Sequence, residues 1–582
     1  MPNPGEWDFE YIADLTGGLA TDQSPLKIKK NQLANVTGLR PDQGQLLIDT
    51  GYVTWGDAVR GIPRLSYQYT KTTGVSELIL ITDATFYRWT AGEWQYVSDG
   101  NDTTCTDGEP AGEVNIVVGS ITGLSDGDYI GITLDNGTQH QTTINGAPGG
   151  TTVVITDAIP TGRSVAAAAI FVKAVDLNGS LDILPNLVVY PNNNWLVFTN
   201  GVDVPRYYDS AECVVVPNLP ASGVFLAKTV HIFNNHLVFM HTTEGGTVYP
   251  QRVRRSDTGD FSEWTTGNAG YDDLLDTSDF IIGGAKLGSY LIAYKEKTIV
   301  RIEWVGTDDR LFNYNTIITG HGIVSQNAII DIGDGHIIIS NDNIYKYRGD
   351  YSLEPIGESV YNTMFGNTGE IDPTYKKRSF GFYVEELSEA WFFFPTAGNT
   401  APNKLLRYSL VDKSWWPREF ASNFVGFGYY KKTNAVTWAT ATGTWAEQQG
   451  KWNSSSLLAN SPTILLCDAA NLQVVEYDYT NKTDNNTAIT YVMETKDFYN
   501  PNYKTRLDFL DLMLKGNLIT IDVSINQGDT WDNIAEVSPG VMYQKVRVDR
   551  QIIGETLRFR LSGSSGFGLD WIGFKYLLES EF

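Results

Sequence analysis

One short pattern of apolar and polar positions recurs seven times along the chain. Each copy starts with an aliphatic or aromatic run, continues through a polar turn, and ends in a second run that closes near Tyr, Trp or Arg. Such runs, bounded by turn residues, are typical of β-strands. The seven copies begin near residues 78, 195, 236, 290, 336, 391 and 464.

The spacing of these copies predicts how the strands pack. Most copies are about 40–70 residues apart, which is near or above the length of a propeller blade. A single hairpin cannot bury both of its faces, whereas neighbours that pack radially cover the faces and protect the sheet edges. We therefore predict an all-β fold with a β-propeller of about seven blades, over residues 65–110 and 174–484. A run of unrelated β-sandwich hairpins is the alternative.

One interval between copies is much longer than the others, at 117 residues, and predicts an insertion. Residues 111–173 have strand and turn signals of their own, including the hairpin pair Asn136 and Gly137. We predict a small β-domain here, carried on a loop of the propeller, where insertions are tolerated. An exposed domain of this kind is more often a contact module than a catalytic one.

The two ends of the chain differ from the repeating part. Residues 1–64 are punctuated by Gly and Pro and have weak periodicity, so we expect an N-terminal arm that packs on the body or on a neighbour. Residues 485–582 contain alternating strands at a spacing that predicts a C-terminal β-sandwich.

Composition and charge limit the classes of function. The chain has 582 residues, with 43 Lys and Arg against 68 Asp and Glu, which gives a formal net charge of −25. This balance excludes the wrapping of nucleic acid as a main function, because phosphate contacts require clustered Lys and Arg. No secretory signal and no apolar run of membrane-spanning length is visible, and three scattered cysteines favour synthesis in a reducing cytoplasm.

The sequence offers no catalytic, cofactor-binding or metal-ligating residues that we would assign, and no cofactor. The histidines have no metal-site spacing, so we interpret them as core or surface residues. Carboxylate pairs such as Asp272–Asp273, Asp308–Asp309 and Asp331 with Asp334 are interpreted as solvated turn residues. Segment 443–451 has the wrong glycine spacing for a phosphate-binding loop. We expect that the protein is not an enzyme.

Some local motifs have structural explanations. Residues 524–531, Ser-Ile-Asn-Gln-Gly-Asp-Thr-Trp, resemble the Asp-box of sialidases and related propellers, with Asn526 where Asp is usual. The motif implies a hairpin turn in which the Asn526 side chain bonds the backbone and Gly528 takes an unusual φ. Segment 256–264 is a looser relative, and 348–350, Arg-Gly-Asp, is interpreted as a turn rather than an adhesion motif.

A longer series of motifs resembles a known family. In order, these are segments 256–264, 290–304, 320–329, 342–350 and 354–357, together with 17–26 and 35–40 near the start. The series is similar to the β-propeller of the tail nozzle proteins of short-tailed bacteriophages, which are also called tail tubular or head-completion proteins. The likeness is strongest over about 250–360 and depends on turn and strand residues.

The resemblance implies a structural virion protein of the phage tail, assembled in the host cytoplasm. It implies a homo-oligomeric ring, expected to be a hexamer, that contacts the adaptor or head-to-tail connector and tail fibres or spikes. DNA would pass through the centre of the ring during ejection without specific binding. The acidic composition fits, because a negative wall repels phosphate. We therefore expect acidic residues to face this channel.

Two other functions remain open from the sequence. A glycan-binding or glycoside-cleaving propeller is supported by the Asp-box, the 15 tryptophans and the carboxylate pairs. A host-surface adhesion module would use the insert at 111–173 as its binding face. The first predicts a cleft of converging aromatic and carboxylate side chains, and the second predicts that deletion of the insert abolishes adsorption but not assembly.

Overall fold

The computed structural model describes residues 6–190, 194–220, 224–307, 310–366, 369–431, 462–564 and 566–580. Within these ranges the chain is all-β, as predicted. Its helical elements are short and lie between strands: the α-helix α1 (Tyr361–Met364) and three 3₁₀ turns (Glu358–Val360, Lys376–Arg378 and Glu385–Leu387).

The first part of the chain contains five strands, a four-stranded antiparallel sheet (sheet 1) and the insert. The five strands are β1 (Trp7–Ile12), β2 (Leu33–Thr37), β3 (Leu39–Asp42), β4 (Gln45–Ile48) and β5 (Gly51–Trp55). Sheet 1 comprises β6 (Pro63–Thr70), β7 (Ser76–Thr82), β8 (Phe86–Thr90) and β9 (Glu93–Tyr96). The insert comprises β10 (Thr103–Thr104), β11 (Asn115–Val117), β12 (Tyr129–Thr133), β13 (Gln139–Thr143), β14 (Thr152–Val154) and β15 (Ile170–Lys173).

Five further four-stranded antiparallel sheets follow in chain order, each paired as a simple meander. Sheet 2 comprises β16 (Asn186–Tyr190), β17 (Trp195–Thr199), β18 (Arg206–Tyr208) and β19 (Cys213–Val215). Sheet 3 comprises β20 (Phe225–Phe233), β21 (His236–Glu244), β22 (Thr247–Arg255) and β23 (Gly270–Asp273). Sheet 4 comprises β24 (Ile281–Leu287), β25 (Tyr290–Lys295), β26 (Thr298–Thr307) and β27 (Arg310–Thr319). Sheet 5 comprises β28 (Ile329–Asp331), β29 (His336–Ile339), β30 (Ile344–Tyr347) and β31 (Leu353–Pro355), and sheet 6 comprises β32 (Phe380–Val384), β33 (Glu389–Phe394), β34 (Lys404–Ser409) and β35 (Ser414–Glu419).

Sheet 7 combines strands from both ends of this region. It comprises β36 (Phe424–Tyr430), β37 (Thr463–Asp468) and β38 (Gln473–Asp478), and β5 pairs antiparallel with β38 as its fourth strand. The short strands β39 (Thr483–Asp484) and β40 (Thr487–Ala488) extend its edge. Strand β36 also lies parallel to β6 of sheet 1, where a Cβ on Gly426 would come 1.6 Å from the Arg64 carbonyl oxygen. Only glycine permits this close approach of two backbones.

All seven apolar runs that the sequence singled out lie in the second strand of a four-stranded sheet, in β7, β17, β21, β25, β29, β33 and β37. These strands are buried on both faces, because alternate side chains enter two different cores. In β7, Ile79 and Ile81 pack toward sheet 2, whereas Leu78 and Leu80 pack toward sheet 7. A strand with two buried faces has a continuous apolar run rather than an alternating one.

The spaces between successive sheets are filled by seven hydrophobic clusters of buried residues. One cluster lies between each consecutive pair from sheet 1 to sheet 7. A further cluster joins sheet 7 to sheet 1, where Leu465 and Val474 pack with Leu80 and Tyr87. The described sheets therefore form a closed cycle of packing contacts.

The C-terminal region folds as two six-stranded sheets that share one core, and the arm supplies strands to both. Strand β1 pairs with β48, β4 also pairs with β48, and β2 pairs with β41. The C-terminal strands are β41 (Thr490–Thr495), β42 (Phe498–Tyr499), β43 (Tyr503–Gly516), β44 (Ile519–Ser524), β45 (Asp532–Val537), β46 (Gly540–Gly554), β47 (Thr556–Ser564) and β48 (Phe567–Ser580). We call this unit, with β1–β4, the sandwich. Its core is continuous with the cluster between sheets 5 and 6.

The strand pairing crosses the predicted domain boundaries at several points. Residues 1–64 were expected to form an arm that packs on the body or on a neighbour; β1–β4 pair within the sandwich and β5 completes sheet 7. The boundary at 64/65 falls inside β6, and the strands of the insert begin at Thr103 rather than at 111. Strand β40, which lies beyond the predicted boundary at 484/485, extends the edge of sheet 7. Trp7 pairs with Leu577, so the partner of this strand lies at the far end of the chain, where no local pattern reveals it.

Candidate functional site

A cavity of about 620 Å³ lies where the starts of sheets 2 to 6 converge. We call it the axial cavity. Its walls come from the segments before β16, β28 and β32, from strands β20 and β24, and from the turns after β25 and β29. It is lined by Asp182, Ile183, Lys228, Ile282, Glu296, Lys297, Ile323, Val324, Ser325, Gln326, Asn341, Lys376 and Lys377.

Contacts across the cycle close one side of this cavity. Asp182, before sheet 2, forms ion pairs with Lys377 at 2.5 Å and Arg378 at 2.6 Å, before sheet 6. The amide nitrogen of Gln326, before sheet 5, donates to the Leu184 carbonyl oxygen at 2.5 Å. Leu184 packs with the cluster between sheets 6 and 7. The segment at 181–184 therefore contacts the segments that precede sheets 5 and 6 and the core between sheets 6 and 7.

The cavity carries more positive than negative side chains. Lys376 donates to the neutral side chain of Asn341 at 2.6 Å. Among the residues that the structure describes, Lys228 and Lys297 have no ion-pair partner within 4.0 Å, and neither does Glu296. Burial lowers the pKa of Lys228, Glu296 opposes this shift, and Lys377 adds to it. The arrangement leaves the partly desolvated ammonium group of Lys228 in the lining of the cavity without an ion pair among the described residues.

The six histidines do not come together at one site. Ring nitrogens of four of them lie within hydrogen-bonding distance of backbone carbonyl oxygens: those of His140, His236, His241 and His336. His231 is buried without a partner for Nε2 among the described groups, and burial lowers its pKa to about 4. His321 is paired with Asp342 at 3.1 Å. Across the described ranges, no three His, Cys, Asp or Glu side chains are grouped so that they could hold a metal ion.

Neighbouring carboxylates do not act together on one partner: Asp272, Asp273 and Asp334 each bind a different cation. Asp272 binds Arg255 at 2.5 Å and Asp273 binds Arg252 at 2.8 Å, on neighbouring positions of β23. Asp334 pairs with Lys346 at 2.9 Å. These pairs were expected to be solvated turn residues, but the Asp272–Asp273 pair sits on a strand and neutralises arginines. The pair Asp308–Asp309 and the segment 443–451 lie outside the described residues.

The Asp-box-like segment forms the turn between β44 and β45. Oδ1 of Asn526 accepts a hydrogen bond from the Thr530 amide at 3.0 Å, and Gly528 has a φ of 95°. The Arg560 guanidinium lies 3.8 Å from the centre of the Trp531 ring. The Arg-Gly-Asp segment at 348–350 links β30 and β31 as a turn, and its Arg348 pairs with Glu354 at 3.4 Å.

A second candidate site is a group of outward aromatic rings on the sandwich. Trp7, Phe9 and Tyr11 alternate on β1 and are 43%, 46% and 52% exposed. Phe9 lies 6.3 Å from Phe509 on β43, and Tyr11 lies 5.3 Å from Trp571 on β48. We call these five residues the aromatic face. The alternation of aromatic and acidic residues over 7–11 is its signal in the sequence, but the weak periodicity of the rest of the arm concealed it.

Charged groups border the aromatic face and are neutralised locally. The Arg547 guanidinium lies 3.9 Å from the Phe509 ring and binds Asp511 at 2.7 Å. Lys575 lies 4.6 Å from the Trp7 ring and binds Asp508 at 2.9 Å. The side chains therefore offer a surface of tilted aromatic rings that is bordered by ion-paired charged groups.

Comparisons with known proteins give no family for this chain. It matches no protein family model and no curated protein. Among solved structures, it is similar to PorZ, a surface component of the type-IX secretion system of Porphyromonas gingivalis, at 10% identity and a TM-score of 0.30 over 82% of this chain and 46% of that one. It is similar to BBS1N in complex with ARL6DN at 7% identity and a TM-score of 0.36, over 75% of this chain and 98% of that one.

An enzyme is also among the similar structures. An exo-β-1,3-galactanase from Phanerochaete chrysosporium matches at 11% identity and a TM-score of 0.21, over 90% of this chain and all of that one. Likenesses at these scores carry no information on activity or partners. Separately, no helix in the described part of the chain has the length and apolar character needed to cross a membrane.

Proposed function

We propose that this chain is a non-enzymatic structural protein of the virion, one subunit of the nozzle ring of a short phage tail. The motif series that resembles nozzle proteins supports the proposal. Its strongest part runs through three consecutive sheets, because 256–264 follows β22, 290–304 covers β25 and most of β26, and 342–350 covers β30. We further propose that sheets 1 to 7 are the blades of a seven-bladed propeller, closed by the pairing of β5 with β38.

The main support for the proposed assembly function is the aromatic face. The outer face of a sandwich sheet is ordinarily polar, and exposed clusters of Trp, Tyr and Arg are typical of the centres of protein–protein interfaces. Here three outward aromatic residues lie on β1, which the chain contributes from its opposite end. Gly573 makes room for the Phe9 ring, because a Cβ at that position would come 2.6 Å from Phe9 Cζ. We propose that this face binds the next copy in the ring.

The axial cavity supports a particular path for DNA. The segment at 181–184 contacts the segments that precede sheets 5 and 6 and is held by Gln326 and Arg378. We therefore propose that a duplex does not pass through the centre of a single subunit. In the proposed assembly the channel lies between copies, where the acidic composition keeps phosphate from binding.

Carboxylate chemistry favours this proposal over a glycoside-cleaving propeller. Glycosidases use two carboxylates that flank the substrate, one of them as a proton donor. In the axial cavity, the carboxylate of Asp182 is bound by two cations and its pKa is lowered, with Lys377 and Arg378 outweighing the effect of burial. That carboxylate is poorly suited to donate a proton.

Light scattering on purified protein tests the proposal. We expect a ring of six copies, and we expect the double variant Phe9→Ser, Tyr11→Ser to weaken assembly by about tenfold or more, as for central interface aromatics. Tyr351→Ser is the matched control, because Tyr351 is an aromatic residue that is 74% exposed elsewhere, on the turn before β31. A wild-type protein that stays monomeric at all concentrations, or equal effects of both variants, would overturn the proposal. Binding of wild type to a glycan array that the double variant loses would favour the glycan-binding alternative.

A further inference from the structure

The axial cavity has the properties of a ligand site that the assembly function does not use. Its volume of about 620 Å³ is within the range of small-molecule sites, roughly 300–1,000 Å³. One part of its lining is apolar, formed by Ile183, Ile282, Ile323 and Val324, and the rest is charged or polar. A site of this kind can bind a compact molecule with a charged group and a short carbon skeleton.

The charge of the lining selects the sign of that group. Lys377 and Arg378 both form ion pairs with Asp182, whereas Lys228, Lys297 and Lys376 have no carboxylate partner within 4.0 Å among the described residues. Glu296 is the one remaining carboxylate of the described lining. Lysine ammonium groups that converge on one space are strongly attracted to a multivalent oxyanion.

Desolvation strengthens this selection. Lys228 is half-buried on β20 and loses part of its hydration without an ion pair to replace it. An unpaired charge that is partly removed from water is unfavourable until a counter-charge arrives. An anion in the cavity would supply that counter-charge and would also balance Lys297 and Lys376.

We propose that the axial cavity binds a small multivalent oxyanion, a phosphate or polycarboxylate compound, through Lys228, Lys297 and Lys376. The site is independent of the aromatic face. Its ligand would stabilise the centre of the seven sheets by linking segments from sheets 3, 4 and 6.

Isothermal titration calorimetry of the full chain tests this proposal with two probes, inorganic phosphate and citrate, at constant ionic strength. We expect saturable binding of one or both, and a loss of about tenfold or more in affinity in Lys228→Gln, since a charge-assisted hydrogen bond is removed. Lys286→Gln is the matched control, because Lys286 is exposed on the neighbouring strand β24 and does not line the cavity. Stronger binding of citrate than of phosphate would identify the ligand as a polycarboxylate compound. Stronger binding of phosphate would identify it as a phosphate compound.

Acylation of the unmodified protein provides a second measurement that does not depend on a variant. Peptide mass spectrometry after treatment with a lysine-selective acylating reagent should find Lys228 modified without anion and protected by the bound probe, while Lys286 reacts equally in both. Absence of saturable binding of either probe would overturn the proposal. Equal affinity of the Lys228→Gln and Lys286→Gln proteins would also overturn it, as would acylation of Lys228 that the probe leaves unchanged.

Discussion

Two groups of charged side chains lie in the middle of the molecule, and they differ in how they are paired. At the junction of the arm with sheets 6 and 7, Asp49 binds Arg407 at 2.9 Å and Arg418 at 3.1 Å, and all three are at most 1% exposed. Arg418 also binds Asp484 at 2.5 Å. In the axial cavity, Lys228 and Lys297 have no such partner in the described residues. The first group holds elements together, whereas the second leaves charge available for a ligand.

The ion pairs at the junction change the pKa of Asp49. Burial alone would raise the pKa of Asp49, but Arg407, Arg418 and Arg40 outweigh burial and hold the pKa well below its usual value. Two buried guanidiniums therefore depend on this carboxylate, and Arg418 has Asp484 as a second partner. This dependence explains why the arm, which begins the chain, stays docked between elements that follow it by more than 350 residues.

The largest expected effect comes from breaking the junction. Asp49→Asn leaves Arg407 and Arg418 buried without their shared counter-charge, and loss of one partner of a buried ion pair costs about 3–5 kcal/mol of the free energy of unfolding. Urea unfolding should report this loss. Asp532→Asn is the control, because Asp532 is exposed on β45, and we expect a change within about 0.5 kcal/mol. Equal small effects of both substitutions would contradict the structural role of the junction.

A smaller effect is expected at His231, a buried titratable group that has no ion pair among the described residues and does not line the cavity. Its pKa falls from an ordinary 6.5 to about 4 on folding because of burial. The unfolded chain therefore takes up a proton before the folded protein does, and stability decreases as pH is lowered from 6.5 toward 4, by up to about 3 kcal/mol.

The variant His231→Phe should remove this part of the acid sensitivity, which can be measured as the melting temperature against pH. The same two proteins above about pH 7.5 provide the control, since the imidazole is neutral there in both states. A variant that keeps the full wild-type loss of stability between pH 6.5 and 4 would show that His231 is hydrated in the folded protein.

The smallest effect is expected for the cavity itself in the absence of an anion. Lys228→Met removes a partly buried cation that has no ion pair among the described residues, so the free energy of unfolding should change by less than about 1 kcal/mol, and the change should favour stability. Thermal unfolding in an anion-poor buffer measures this. A loss of about 3 kcal/mol, similar to that of Asp49→Asn, would mean that the cavity cation is part of the framework.

The same contrast separates what the sequence could predict from what it could not. The second strands of the seven sheets were visible because both of their faces are buried, so that Leu78–Ile81 or Phe392–Phe394 form unbroken apolar runs. Turns could also be predicted from the sequence, because the residue types that favour them lie within the turn itself. Asn234 and Asn235, which join β20 to β21, both have positive φ, as a tight hairpin turn requires.

The sites depend on contacts between distant residues, which carry no local signal. The cavity lysines at 228, 297 and 376 lie on a strand of sheet 3, in a turn of sheet 4 and in the 3₁₀ turn before sheet 6, and each is an ordinary polar residue in its own segment. Strand β1 finds its partner at the other end of the chain, so that its aromatic alternation had no visible counterpart. The long strand β46 has little apolar alternation of its own, because positions such as Val541 and Met542 are exposed.

Electron microscopy of the purified protein and of the assembled particle tests the proposed ring most directly. We expect six copies, each with a seven-bladed propeller, with the aromatic face of one copy buried against the next and acidic side chains facing a channel between them. A protein that stays monomeric in both preparations would contradict the proposed assembly. A ring with Trp7, Phe9 and Tyr11 exposed to solvent, or with a basic channel, would contradict it as well.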